Sequence, residues 1–174
     1  VYGLHDFLAN QIGNNAGIEA AHAAYRLGVK TALLTMSIEA IGRMSCNPAV
    51  GGVAKGQIVR DIDALGGLMG KLTDKAGIQF RMLNKSKGPA VWGPRAQCDM
   101  DFYSKCARET LESFSGLDLL EGELASFSPF LQKTEILLAD GRKFLTKALI
   151  ITSGTFLASK MYTGLLESVG GRVG

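Results

Sequence analysis

One stretch of the chain gathers residue types capable of chemistry: Met44-Ser45-Cys46-Asn47-Pro48-Ala49-Val50-Gly51-Gly52-Val53-Ala54-Lys55-Gly56. It sets a thiol, an Asn-Pro turn, a Gly-Gly pair and a lysine just ahead of a helical pattern. Adjacent glycines let backbone approach a ligand with no side chain in the way, and free N–H groups at a helix start attract anions. A cysteine beside such a positive terminus has its thiolate favoured, which suits nucleophilic attack. The same residues also fit a plain surface turn around an inert thiol, since free cysteine commonly packs as a small hydrophobe.

Charge is gathered as well. Between Lys75 and Cys98 stand Lys75, Arg81, Lys85, Lys87 and Arg95, with no Asp or Glu, and Trp92 lies among them. Rings interleaved with cations can stack bases while the cations meet phosphates. Lys85, Lys87 and Arg95 are therefore candidate nucleic-acid contacts. A cofactor pyrophosphate would use the same positives, and a solvated loop anchored by its tryptophan would look alike.

The elements that must position these groups are legible in part. Gly17 to Leu27 reads as a helix with a small apolar face (Ala20, Ala21, Ala23, Ala24, Leu27) suited to a sheet. Gly28 stops it, and Val29 to Thr35 reads as a buried strand, so the pair forms the second half of a βαβ unit. The first half is irregular. Val1 to Asn10 is poor strand material, and in the turn that follows Ile12 and Asn14 stand where the first two fingerprint glycines of a dinucleotide site belong. Only the third, Gly17, is kept, with an extra glycine at Gly13.

Further on, Ala54 to Leu65 reads as an amphipathic helix with Ile58, Ile62 and Leu65 on one stripe, followed by another turn or two over Leu68 to Asp74. Asp99 to Phe114 is a second helix, with Phe102, Tyr103, Cys106 and Leu111 inward. From Leu117 the period becomes that of strands: 117–127, 134–139 and 143–145, with Asp140-Gly141 as a two-residue hairpin turn. Ala148 to Thr152 reads as a fully buried strand ending in the Ser153-Gly154-Thr155 turn, a place where open α/β sheets bind ligands.

Bulk properties narrow the classes. A chain of 174 residues, 47% hydrophobic and 20% charged, has room for one globular domain. Its net charge of +3 is too small to argue for nucleic acid alone. No apolar window approaches the ~18 residues of a membrane span, and nothing at the amino terminus reads as a signal peptide. Cys46, Cys98 and Cys106 fit no zinc spacing and suggest a reducing compartment.

Asp61 to Met69, Gly77 to Asn84, Ser86-Lys87-Gly88-Pro89-Ala90 and Pro94-Arg95-Ala96-Gln97 follow the Cys46 motif in order. Together these blocks closely resemble the flavin-dependent tRNA-modifying family called MnmG or GidA, from about Ala16 to Gly174. The resemblance implies a Rossmann-like FAD-binding domain of the glutathione-reductase type with an associated β-meander. It also implies that 1–174 is a single, incomplete amino-terminal portion of that domain, because family members are much longer. FAD contacts would come from Gly13, Asn14, Asn15, Ala16 and Gly17, from Gly51 and Gly52, from Leu124, and from Gly154 and Thr155. Asn15 departs from the histidine typical there. Cys46 matches one of two active-site cysteines.

The implied reaction adds a carboxymethylaminomethyl group to carbon five of the wobble uridine. It would use NADH or NADPH as reductant, a folate-derived one-carbon donor, tRNA as substrate, a partner GTPase of the MnmE type and a homodimer. A cytoplasmic location follows, or alternatively a mitochondrial or other organellar one; no metal is implied. Two other readings stand beside this one: a non-catalytic relic keeping an RNA- or protein-binding surface, and another flavin oxidoreductase of the same fold. The altered fingerprint leads us to expect that the chain alone holds little FAD.

Overall fold

The computed structural model describes residues 3–11, 15–44, 47–154 and 159–169, and along 3–11 the backbone only. Its first unit is β1 (Gly3–Gln11), α1 (Asn15–Arg26) and β2 (Thr31–Thr35). Gly28, at φ +74, ends the helix, as a glycine beyond a helix C-terminus commonly does. Ile18, Ala21 and Ala24 face inward, whereas Leu27, placed by sequence on the apolar face, is exposed because it falls in the turn after the helix.

β1 corrects the reading of the opening segment. It pairs in parallel with β2 on one side and with β9 (Lys143–Thr152) on the other, at the centre of a sheet. Two-sided pairing satisfies its backbone, and that context outweighs weak strand propensity. The sheet is completed by β6 (Leu117–Glu121), β7 (Leu124–Phe130) and β8 (Lys133–Leu138), in the order β6-β2-β1-β9-β8-β7.

β2 is buried along its length and feeds two cores. Leu33 joins Ile18, Ala21, Tyr103, Ala107 and Leu111 on one face; Ala32 and Leu34 join Ile136, Leu138 and Phe144 on the other. The β7–β8 hairpin thus covers one face, while α1 and α4 (Met100–Glu112) cover the other. α4 begins at Asp99, whose carboxylate accepts the Phe102 N–H at 2.8 Å. Tyr103, Cys106 and Leu111 are buried as spacing predicts, but Phe102 is exposed, one residue off the inward stripe.

The carboxyl-terminal strands differ from expectation in two ways. Residues 143–145 and 148–152 form one ten-residue strand, and Ile150 and Ile151 on it are about 40% exposed rather than buried. Among the described residues β8 pairs with β9 as far as Thr146, and beyond that point β9 pairs with β1. The β8–β9 turn is also wider than two residues. Of Asp140 and Gly141 only Gly141 has positive φ (+87), and Leu138 N–H reaches the Arg142 carbonyl at 2.9 Å. Past the first sheet, β10 (Lys160–Thr163) and β11 (Leu166–Val169) form an exposed hairpin.

A second sheet carries the motifs. β3 (Ala49–Gly51), β5 (Gly93–Cys98) and β4 (Gly77–Leu83) pair antiparallel in that order, and α2 (Lys55–Ala64) and α3 (Met69–Ala76) pack on them. α3 has no capping side chain of its own. The Glu19 carboxylate on α1 accepts the Leu68 N–H at 2.9 Å and the Met69 N–H at 2.5 Å, tying the two layers together. Glu19→Ala is expected to cost about 1–2 kcal/mol, read as a lower urea midpoint with unchanged m-value.

His22 adds a pH dependence. It is buried and stacked on Phe114 with ring centroids 5.3 Å apart. Burial, aided by Arg26 and Lys71, lowers its pKa below the ordinary 6.5. Below that ordinary value the unfolded chain binds the extra proton first, so stability falls as pH drops through 6.5 towards the lowered folded value. The melting temperature should therefore fall more between about pH 7.5 and about pH 5.5 in the parent chain than in His22→Phe. Equal losses would show that His22 plays no part.

Candidate functional site

Parallel strands align their carboxyl ends at the start of α1. Gln11 stands in register with Thr35 on one side and Thr152 on the other, and Thr35 pairs with Glu121. Asn15, Ala16 and Gly17 form the first turn of α1 at that end, with Gly17 buried. The Tyr103 hydroxyl donates to Asn15 Oδ1 at 3.1 Å, so α4 holds the helix start in place. Burial, with Glu19 and Cys98 nearby, pushes the Tyr103 hydroxyl pKa up, and it stays a neutral donor. Gly154, at φ +63, turns the chain just beyond β9. Leu124 follows the end of β6 by three residues and packs in the second core. A helix N-terminus framed by parallel strand ends fits a dinucleotide pyrophosphate. Gly13, Asn14 and Thr155 lie outside the described residues.

The Gly-Gly motif faces this point. A cavity of about 250 Å³ is bounded by Asn15 and Met44 on one side and by Ala49, Gly51, Lys55 and Ile58 on the other. α2 departs from expectation: Ile58, on the cavity, is 60% exposed, Leu65, at the helix C-cap, is 80% exposed, and Gly56 alone on the helix is buried. Gly56 sits on Pro94, so the helix docks by its small residue, and Ile58 and Ile62 border the cavity. Cys46 lies outside the described residues; Met44 before it lines this cavity, and Asn47 after it lines a neighbouring one of about 490 Å³ with Gly52, Lys55 and Arg95.

Gly51 and Gly52 divide their work in a way the sequence did not disclose. A Cβ on Gly51 would stand 2.3 Å from the Pro94 carbonyl oxygen, so that glycine serves strand packing. Gly52, at φ +105, has only Leu83 near the same position and borders the open cavity. Ala54 also takes positive φ (+64) directly before α2, an unfavourable conformation for a residue with a Cβ.

The basic residues separate into two groups. Lys85 and Lys87 are exposed on a short helical turn, closed by the Trp92 indole N–H donating to the Lys85 carbonyl at 3.3 Å. Trp92 is 44% exposed, so it latches the loop rather than anchoring it in the core. Arg95 is half-buried on β5 and stands opposite Arg81 on β4. Sequence reasoning counted Arg81 among the positives without selecting it; the alternation Gln79-Arg81-Leu83 beside Arg95-Gln97 was the available signal. Cys98 and Cys106 are buried and free, and burial raises the Cys98 pKa, which disfavours its thiolate. No cluster of metal-ligating side chains occurs among the described residues, nor any helix long and apolar enough to cross a membrane.

Comparison with known proteins agrees with this geometry. A family model described as "Glucose inhibited division protein A" matches residues 13–174. The chain is 47% identical over 165 residues to the tRNA uridine 5-carboxymethylaminomethyl modification enzyme MnmG of Salinibacter ruber, covering 93% of this chain and 25% of that protein. The MnmG of Phocaeicola vulgatus is 50% identical over 163 residues, covering 91% and 26%. Among solved structures, Aquifex aeolicus GidA superposes with TM-score 0.89 at 44% identity, over 97% of this chain and 28% of that one. A probable FAD-dependent monooxygenase from Pseudomonas aeruginosa, PqsL, shares the fold alone, at TM-score 0.55 and 14% identity. The chain thus spans about a quarter of the curated relatives it matches.

Proposed function

The chain belongs to the glucose inhibited division protein A family, and from that premise we propose that it is the amino-terminal part of the FAD-binding domain of a tRNA wobble-uridine modification enzyme. The observation that carries this reading is the cavity joining Asn15 at the start of α1 to Gly51 and Lys55 of the second sheet. Asn15 lines it together with Met44 and Lys55, which stand on either side of Cys46 in the sequence, and this supports the reading.

In this reading the first turn of α1, with Asn15, Ala16 and Gly17, offers backbone N–H groups to the pyrophosphate, and Gly13 and Asn14 are further contacts. Gly51, Gly52, Leu124, Gly154 and Thr155 supply further contacts. Bound FAD supplies hydride transfer, drawing on NADH or NADPH. Tyr103 keeps Asn15 oriented through its 3.1 Å hydrogen bond. Cys46 is the covalent nucleophile towards the pyrimidine. Lys85, Lys87 and Arg95 meet tRNA phosphates. The one-carbon unit comes from a folate, a GTPase of the MnmE type is the partner, and the assembly is a cytoplasmic homodimer.

The test is a chimera in which residues 13–174 replace the matched quarter of the Salinibacter ruber relative, expressed in a bacterium deleted for its own family member. Nucleoside mass spectrometry should detect 5-carboxymethylaminomethyluridine in its tRNA. A folded, flavin-loaded chimera that leaves the uridine unmodified overturns the catalytic reading and favours a relic that keeps a binding surface.

A further inference from the structure

The three-stranded sheet has two unlike faces. Strand side chains alternate, so Ala96 and Cys98 enter the core while Arg95 and Gln97 point to the other side. Antiparallel register sets Arg81 directly opposite Arg95 and Gln79 opposite Gln97. β3 adds only Gly51 beside Arg95 and Ala49 beside Gln97, neither of which brings a charge. These groups line a cavity of about 220 Å³ made of Gln79, Arg81, Leu83, Arg95 and Gln97. It opens beside the larger one holding Asn47 and Lys55, which Arg95 also lines.

Nothing in the described chain neutralises these guanidinium groups. The ion pairs among the described residues involve Lys105, Arg108, Arg142, Lys143 and Lys160, not Arg81 or Arg95. Asp74 lines a separate cavity of about 360 Å³ that Arg81 and Arg95 also border, and it makes no ion pair with either. Like charges directly across a sheet destabilise it. Half-burial of Arg95 adds a desolvation cost. An anion seated between the two forks offsets both, since each guanidinium presents paired N–H donors matched to tetrahedral or planar oxyanions. The flanking glutamine amides supply further donors.

The geometry points to a binding site for one phosphate group formed by Arg81, Arg95, Gln79 and Gln97, separate from the start of α1. The phosphate belongs to an RNA backbone or to the pyrophosphate of a dinucleotide. Lys85 and Lys87, exposed on the turn after β4, extend a positive track from the site. The choice of RNA rests on the proposed function; the phosphate site itself does not.

Two measurements on the purified chain test this. First, inorganic phosphate should raise the melting temperature relative to chloride of equal ionic strength. The apparent affinity should weaken at least about tenfold in Arg81→Gln/Arg95→Gln, with Arg95→Lys intermediate. Arg81→Gln, at an exposed position, should fold as well as the parent at low salt because it relieves the like-charge pair. Second, the log–log salt slope of tRNA binding should drop by about 0.7–0.9 in the double variant, the share of one phosphate. That drop assigns the phosphate to RNA. An unchanged slope with about tenfold weaker NADH binding assigns it to a dinucleotide. A phosphate response with neither change marks an adventitious ion only and overturns the site, as does the absence of any response. If Lys85→Gln/Lys87→Gln and the arginine variant both leave tRNA binding untouched while the phosphate and dinucleotide responses persist, the tRNA reading fails and the site stands.

Discussion

Cys46→Ser in the chimera is expected to fold, to keep its flavin and to lose wobble-uridine modification by several orders of magnitude. A serine hydroxyl at neutral pH is a far poorer nucleophile than a thiolate, and removal of a covalent nucleophile ordinarily costs most of the rate. The controls are the two buried thiols. Cys98→Ala and Cys106→Ala remove a small packed group, so each should cost about 1–2 kcal/mol of stability and leave modification intact. Nucleoside mass spectrometry beside the flavin absorbance separates the outcomes. Full modification by Cys46→Ser would return that cysteine to a packing role.

Gly51→Ala should be the most damaging single substitution in the second sheet. The new methyl would stand 2.3 Å from the Pro94 carbonyl oxygen and 3.2 Å from its carbon, and both neighbours are backbone atoms that no rotamer change can move. The residue also holds φ +88. Overpacking and backbone strain together should cost about 3 kcal/mol or more, lowering the melting temperature by roughly 6–12 °C. Gly88→Ala is the comparison: it shares a positive φ (+95) but has no atom within 4 Å, so only backbone strain of about 1–3 kcal/mol should appear. Equal, small shifts in both variants would show that the close approach of β3 to β5 does not govern the sheet.

The sequence by itself determined the features that depend on neighbours a few residues apart. The helix read over Gly17 to Leu27, the stop at Gly28, the buried strand within Val29 to Thr35, and the inward Tyr103, Cys106 and Leu111 follow from local periodicity and turn chemistry. The ordered blocks from Met44 to Gln97 determined the family. Tertiary structure decided what depends on distant partners. Residues 3–11 are weak strand formers and become the central strand because β2 and β9 pair on both sides. Ile150 and Ile151 look like core by type, yet are exposed because β8 stops short of them. Gly51 reads as a ligand contact, and its missing Cβ is also required by Pro94, 43 residues away, while Arg95 meets Arg81 only through the β4–β5 register. Periodicity records which side of its own element a residue faces; it carries no information about which element arrives there, and a shift of one residue in register would have sent Arg81 and Arg95 to opposite faces.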